Sequence, residues 1–580
     1  MAAKKDVKEW TLMFYFAGDN DLAPVIVSQL KEIKDAGYHK HIDVLVHFDA
    51  NALGVPTRVY DVNRARKNAP KSPPFLIGDC GDSFVRDMLE DEVMPDKIKA
   101  VKDRPASTAL KNALKTPDEI KADEALKNFI GYCRENHQAK RYMLFLVGHG
   151  MIVGNDAFLS DENPVSAITL TTLGEILKDF ADDVRYDGDS FELLTLHSCS
   201  MSAIEVAYEL KDTANYMMGS EGPSFVGTWP YRQLLKRIFN HLKTAEESEG
   251  AEKEGGARDG KSRIPRIDAP FLIGRLFYLT LFNSVDFLLA GYSQDLALCN
   301  LNSIGGLTAP MRKLVAMLKR GLKASRGDEG LGTTERGKRI KELVLLAHWE
   351  AQSYWEESYT DLFDFCHCLR EGCNSKDELE DLRDACLNVM KSLQGIVFSR
   401  HFGSMSQYSH GLSVYFPWSR PRPVEGIASV KKKTQKPTDE KPKDQSKGIM
   451  ERYKKYAFTT RLVGESWFSF LESYFDKTRR QSRTEENHMN GGRKQKKSAT
   501  VSLPMVSVLS GARLATSLGN PEGKPTPLLG VGDGKPTPLL SSDDGKPTPV
   551  VGVGCGCPSI KNYSEDKESD AIPGKRRIRR

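Results

Sequence analysis

The sequence predicts an α/β protein built on a mostly parallel sheet with helices on both faces, a three-layer α-β-α sandwich. Three observations carry this. Apolar runs such as "WTLMFYFAG", "RYMLFLVGHG" and "FELLTLHSC" are nearly continuous rather than alternating, as expected of strands buried on both faces. Segments such as "DEALKNFIGYCRENH" have helical spacing. The two kinds of segment alternate along the chain, which is the order that crossover helices between parallel strands require.

Taken in order, "WTLMFYFAG" is the first strand and stops at Gly18. "LAPVIVSQLKEIKDAG" is a helix with a glycine stop, "IDVLVHFDA" the second strand, and "VPTRVYDV" a hairpin arm. "DEALKNFIGYCRENH" leads into the strand "RYMLFLVGHG". "TLTTLGEILKDFADDV" is a helix, "FELLTLHSC" a strand, "SMSAIEVAYELKD" a helix and "NYMMGSEG" a strand. These elements make an α/β domain over residues 1–243. Residues 244–267 are charged, glycine-rich and aperiodic, the mark of a flexible linker. Residues 268–475 are globular again and mainly helical, with a strand-like "GLSVYFPW" and a disordered insertion near 425–449. Residues 476–580 form a basic, low-complexity, disordered tail. It holds three copies of "GKPTP", beginning at Gly523, Gly534 and Gly545. Their Pro, Gly and small residues offer no apolar face to stack, so a spacer or a short docking segment for a partner is expected.

A chain of 580 residues exceeds one compact core. Its net charge of +5 is too small for a general nucleic-acid footprint. The N-terminus lacks the apolar run of a secretory signal. "RLFYLTLFNSVDFLLAGY" (Arg275 to Tyr292) carries Asn283 and Asp286 and is too short to span lipid, so it reads as a buried helix. Scattered cysteines suit a reducing compartment. A cytoplasmic protein with no membrane partner is expected.

Two motifs fail on context. "GGARDGKS" (Gly255 to Ser262) has phosphate-loop spacing, but an acidic linker precedes it and Pro265 follows, so strand and helix are both missing. "CHCLREGC" offers Cys366, His367, Cys368 and Cys373, but the surrounding apolar spacing is helical and no second knuckle is near. No metal site is assigned.

One pair carries chemistry. His149 ends the strand "YMLFLV" and is followed by Gly150. Cys199 ends the strand "ELLTLHS" and is followed by a helix. One helix separates the strands in sequence, so their carboxyl ends should share an edge of the sheet, where functional groups collect. A helix N-terminus would favour the Cys199 thiolate, and the imidazole could take up the thiol proton and later protonate a leaving amine. The N–H groups of Gly150 and Cys199 could hold an oxyanion. A phosphatase loop would place Arg where Glu205 stands, and a thioredoxin-type site would place Cys where Ser202 stands.

These residues resemble the clostripain family of cysteine peptidases, which have a caspase-like fold. "WTLMFYFAGDNDL" is similar to its first strand and Gly-Asp-Asn-Asp-Leu turn, "YMLFLVGHG" to its His-Gly strand, and "CSMSAIEVAYEL" to its nucleophile segment. "MGSEGPSFVGTWPY", "DLFDF", "GLSVYFP" and "SWFSFLESY" resemble later segments. The resemblance implies a cysteine endopeptidase acting on protein or peptide substrates. Cys199 would be the nucleophile, forming a thioacyl-enzyme, with His149 as general acid/base. Gly150 and Cys199 would form the oxyanion site, and His197, Ser220, Glu221 and Trp229 the substrate pocket. No cofactor is required for this chemistry, although the resemblance brings calcium with it. The family typically cleaves after Arg or Lys and carries an acid two residues before the cysteine. Here His197 stands there, so it either faces an acidic or polar P1 side chain or bonds to backbone. The family often matures by cutting itself between His and Cys, where this chain has Lys178 and Arg185. The alternative is a catalytically weak or inactive scaffold that uses a peptidase fold for interactions.

Overall fold

The computed structural model describes residues 7–49, 58–62, 121–150, 157–162, 165–186, 191–254, 268–285, 288, 291–326, 334–355, 357–373, 379–421, 448–462 and 465–475. Strand β1 (Lys8–Phe16) shows why three layers form. Successive side chains of a strand point to opposite faces. Trp10, Leu12, Phe14 and Phe16 enter one buried core, and Met13 and Tyr15 enter the other. Nearly every β1 residue is buried, so the strand needs cover on both sides.

Helix α1 (Ala23–Asp35), strand β2 (Ile42–Phe48) and strand β3 (Arg58–Asp61) follow. Then come α2 (Ala122–Asn136), β4 (Ala139–Val147), the hairpin β5 (Phe158–Glu162) and β6 (Val165–Ile168), and α3 (Leu170–Tyr186). Next are β7 (Phe191–His197), α4 (Ile204–Leu210), β8 (Ala214–Gly219), α5 (Tyr231–Glu254) and α6 (Ala269–Asn283). The later part contains β9 (Gln294–Asn300), α7 (Thr308–Arg326), α8 (Glu335–Glu350), β10 (Ser353–Tyr354) and β11 (Tyr359–Asp361). It continues with α9 (Leu362–Gly372), α10 (Glu380–Ile396), β12 (Val397–Phe402) and β13 (Ser413–Tyr415).

The main sheet has eight strands in the order β12-β9-β8-β7-β4-β1-β2-β3. β2, β1, β4, β7 and β8 pair in parallel, while β3, β9 and β12 extend the sheet through antiparallel pairs. Helices α1, α5 and α6 cover one face. Helices α2, α3, α4, α7, α9 and α10 cover the other. The chain order reverses between β1 and β4. In such sheets the crevice beyond the carboxyl ends at that point is where ligands bind.

The expected strands and helices of residues 7–219 are present, with three differences in this half. A hairpin, β5–β6, joins α3 in the connection between β4 and β7, so more than one helix separates them. Helix α4 begins at Ile204, five residues beyond Cys199. Helix α3 runs on to Tyr186, so Arg185 is helical as well as Lys178, which the sequence already placed in this helix. Helix α5 runs to Glu254, into the stretch expected to be a linker. Strands β9 and β12 were not legible as strands, yet they complete the main sheet. "CHCLREGC" begins within α9, where Cys366 is buried as the helical spacing predicts. No helix among the described residues is long and apolar enough to cross a membrane. The insertion expected near 425–449 lies outside the described residues except for its last two, which begin a short helix at Gly448. The "GKPTP" copies and the rest of the tail lie outside them altogether.

Candidate functional site

The site begins with strand register. β4 and β7 pair in parallel with Val147 opposite His197, and the Gly148 N–H points to the His197 carbonyl at 3.5 Å. His149 and Cys199 each follow two residues beyond this last pair, on the two neighbouring strand ends. The contact is tight at the next residue. A Cβ placed on Gly150 would lie 1.9 Å from the Cys199 carbonyl oxygen and 2.8 Å from its nitrogen. Only glycine lets these two backbones meet.

His149 is held from its far side. Its Nε2 lies 2.6 Å from Asp21 Oδ1. Asp21 belongs to the turn that leaves β1, and Asn20 fixes that turn. Asn20 Nδ2 donates to the carbonyls of Ala17 and Ser160 at 3.0 and 2.8 Å, and its Oδ1 accepts from the Leu22 N–H at 3.0 Å. The sequence alone assigns Asp21 no role. The available signal was an acid just past the end of the strand that neighbours the histidine strand.

Cys199 sits in a sharp turn and is 2% exposed. Ser200 adopts φ 57°, in the left-handed region that non-glycine residues rarely enter. The turn is tied to the segment after β8. The Ser200 and Ser202 N–H groups donate to the carbonyls of Gly222 and Ser220 at 3.0 and 2.8 Å. Beyond it the chain crosses to the small sheet β10-β11-β13, through a bridge between Ala203 and Ser413. This corrects the expectation that a helix begins at the cysteine. A helix of seven residues starting five positions away places no dipole end on the thiol. The Ser224 N–H lies 3.4 Å from Sγ, with the Ser224 carbonyl at 3.7 Å.

The pocket candidates divide. His197 is wholly buried, its ring stacked on Trp229 with centroids 4.8 Å apart. Nε2 lies 2.9 Å from the Phe225 carbonyl and Nδ1 2.7 Å from the Tyr231 hydroxyl. The carbonyl can only accept, so Nε2 carries the proton and Nδ1 accepts from Tyr231. Of the two readings of His197, the structure shows the backbone-bonded one. Its imidazole and Trp229 form a packed wall behind the cysteine turn, and His197 as a group facing a P1 side chain is withdrawn.

Burial pushes the His197 imidazole down to about 3 from its ordinary 6.5. A depressed histidine contributes stability above its unfolded value and loses it as pH falls toward the folded one. Between pH 7 and pH 5 this should cost on the order of 2 kcal/mol. Urea unfolding of His197→Asn at both pH values is expected to show a pH-dependent loss smaller by about that amount. Equal losses in the two proteins would remove His197 as the source. Asp295, pushed up to about 6 by burial, acts in the opposite sense, but it is common to both proteins.

Glu221 and Ser220 are also buried. Glu221 Oε2 accepts from Ser409 Oγ at 2.6 Å and from the Gly411 N–H at 2.7 Å. Asp295 accepts from the Glu221 and Gly222 N–H groups at 2.6 and 2.9 Å. Asp361 accepts from the Asp364 and His410 N–H groups at 2.7 and 2.5 Å. Burial, then the charges of Asp361 and Asp295, holds the Glu221 carboxyl well above the usual range. These carboxylates brace the loop after β8 against the small sheet. Glu221 is therefore a structural brace and not a substrate-facing group. Among the described residues no group of three His, Cys, Asp or Glu side chains is arranged to hold a cation. Both oxygens of Asp295 and Asp361 and Glu221 Oε2 accept from N–H or O–H donors, which leaves Glu221 Oε1 as the one carboxylate oxygen of the cluster without a partner. One open oxygen is far from the roughly six to eight that calcium takes, so the cluster does not fit calcium. Glu205 anchors the helix after the cysteine. Its Oε1 accepts from the Tyr415 N–H at 3.0 Å and the Tyr453 hydroxyl at 2.7 Å, and burial pushes it up to about 7.

The sequence model of the clostripain family matches residues 14–421. The chain is 20% identical over 431 residues to clostripain of Hathewaya histolytica, covering 70% of this chain and 74% of that protein. The inactive zymogen C11 protease of Parabacteroides distasonis shares 15% identity, with 72% of this chain and 94% of that one covered and a TM-score of 0.40. The secreted C11 cysteine protease iotapain of Bacteroides thetaiotaomicron shares 16%, with 71% and 94% covered and a TM-score of 0.42. The family match spans most of the chain, including both strand ends that carry His149 and Cys199, and the chain belongs to the clostripain family of cysteine endopeptidases, with the caspase-like α-β-α sandwich.

Proposed function

We propose that the chain hydrolyses peptide bonds through Cys199 and His149 and a thioacyl-enzyme on Cys199, with an uncharged residue preferred at P1. The observation that carries this is the backbone contact between Gly150 and Cys199 at the paired ends of β4 and β7. His149 takes the Cys199 proton, and the thiolate attacks the scissile carbonyl carbon, forming the C–S bond. The N–H groups of Gly150 and Cys199 hold the developing oxyanion. The imidazolium gives its proton to the amine nitrogen as the C–N bond breaks. Water then enters, His149 takes its proton, and hydroxide attacks the thioester. The C–S bond breaks, the acid product leaves, and the proton returns to Cys199. No specific observation favours the inactive-scaffold alternative.

The P1 preference rests on the wall behind the cysteine. The position two residues before it carries a neutral, fully engaged imidazole, backed by Trp229 and Tyr231. A guanidinium or ammonium brought there would be desolvated without a carboxylate at that position to pair with it. With a P1-varied peptide library, kcat/KM for an uncharged P1 residue is expected to exceed that for Arg by at least about tenfold, the difference of ~1.4 kcal/mol that one unpaired polar contact readily costs. Fastest cleavage after Arg or Lys would overturn the P1 assignment and leave the Cys199 chemistry standing.

A further inference from the structure

We infer that Asp21 is a positioning residue for the peptidase reaction, fixing the tautomer and orientation of His149 so that Nδ1 is the nitrogen offered to Cys199. This rests on the reading of His149 and Cys199 as the reacting pair. The bond is short, 2.6 Å from Asp21 Oδ1 to His149 Nε2. An ionised carboxylate only accepts, so in this contact Nε2 carries the hydrogen and the neutral ring keeps a bare lone pair on Nδ1. Nδ1 is then the only ring nitrogen able to take the thiol proton. When it does, the charge appears on a ring already bonded to an anion, which is where a preset countercharge helps most.

The placement is built into the fold. Asp21 leaves the carboxyl end of β1 and His149 that of β4, the two central strands on either side of the point where chain order reverses. The Ala17 N–H bonds to the Val147 carbonyl at 3.0 Å, so the ends of these strands are held together. The Asn20 side chain and the bond from the Glu162 N–H to the Asp19 carbonyl at 2.9 Å clamp the turn on both sides of Asp21. Leu22 is wholly buried and anchors its far end. The carboxylate therefore approaches His149 from a rigid turn rather than from a wandering side chain. A fixed partner of this kind keeps the imidazole aligned at little entropic cost.

The test compares native enzyme, Asp21→Ala and Cys199→Ala on one peptide. Asp21→Ala is expected to lower kcat about 10²-fold, the size of a general acid–base contribution, while KM stays within about threefold. Asp21 is 30% exposed and His149 14%, so a small carboxylate can reach the vacated place. Formate is expected to restore kcat of Asp21→Ala by at least about tenfold, a recovery that a purely structural role would not allow. Activity of Asp21→Ala within about threefold of native, or a loss that formate leaves unchanged, would overturn the inference. If Asp21→Ala does not fold, Asp21→Asn carries the same test by kcat alone, with native kcat as the overturning result. Retained cleavage by Cys199→Ala would instead sink the parent reading of the pair. An inactive Cys199→Ala beside a fully active Asp21→Ala would sink only the role of Asp21.

Discussion

Cys199→Ala is expected to abolish peptide hydrolysis, with a fall in kcat of at least about 10⁴-fold, while the fold survives. The size follows from the chemistry. Alanine has no atom that can form the thioacyl bond, so both half-reactions lose their shared intermediate. The structural cost is small by comparison. Cys199 loses one sulfur from a buried turn whose shape is fixed by backbone bonds from Ser200 and Ser202 to Gly222 and Ser220. Truncating one buried heavy atom should cost roughly 1 kcal/mol. Circular dichroism and thermal melting should therefore report a folded protein. Alkylation by iodoacetamide, mapped by peptide mass, gives a second readout. Burial pushes the thiols of Cys299 and Cys368 up to about 12 and that of Cys133 well above its ordinary value, and the hydrogen bond with Cys366, then burial, does the same to Cys386, which makes all four poor nucleophiles at neutral pH. Among these five cysteines the label should go first to Cys199. Cleavage by Cys199→Ala within about tenfold of native would rule out the acyl-enzyme.

The two strand ends were legible because strands buried on both faces produce unmistakable apolar runs, and the residues just past such runs lie at one sheet edge. Adjacency of β4 and β7 followed from the parallel crossover rule, and the register agrees. What lay beyond that reach depends on distant partners. The pairing of β9 and β12 with the main sheet is set by antiparallel partners across long separations, for which "SQDLALCN" alone carries no signal. The fate of His197 was settled by Phe225 and Tyr231, which are 28 and 34 residues away. Asp21 meets His149 across 128 residues, so its contact could not be read from local spacing. The supposed helix at Cys199 failed for a local reason. The pattern "SMSAIEVAYEL" has helical periodicity only from Ile204, and the serines before it are engaged in backbone bonds to neighbouring loops.

Gly150→Ala is expected to lower kcat/KM by at least about 10²-fold, the cost of displacing a reacting group by about 1 Å. The obstacle is steric. The new methyl would lie 1.9 Å from the Cys199 carbonyl oxygen, 2.7 Å from its carbon and 2.8 Å from its nitrogen, all backbone atoms with no rotamer to relieve the clash. Ordinary carbon contacts need about 3.5 Å, so the two strand ends must part. That movement changes three things at once. It carries the Gly150 N–H away from the oxyanion position, it shifts His149 on the preceding residue, and it disturbs the turn that holds Cys199. Loss of one oxyanion donor alone is worth about 10²–10³ in kcat. The core is less affected, because β4 and β7 remain paired from Tyr142 to Val147 below the site. Melting temperature should therefore fall modestly while kcat falls steeply and KM changes little, the pattern of an interaction lost mainly in the transition state. A Gly150→Ala enzyme with native kcat would show that the two backbones separate in the working enzyme, and that the oxyanion is held by other donors.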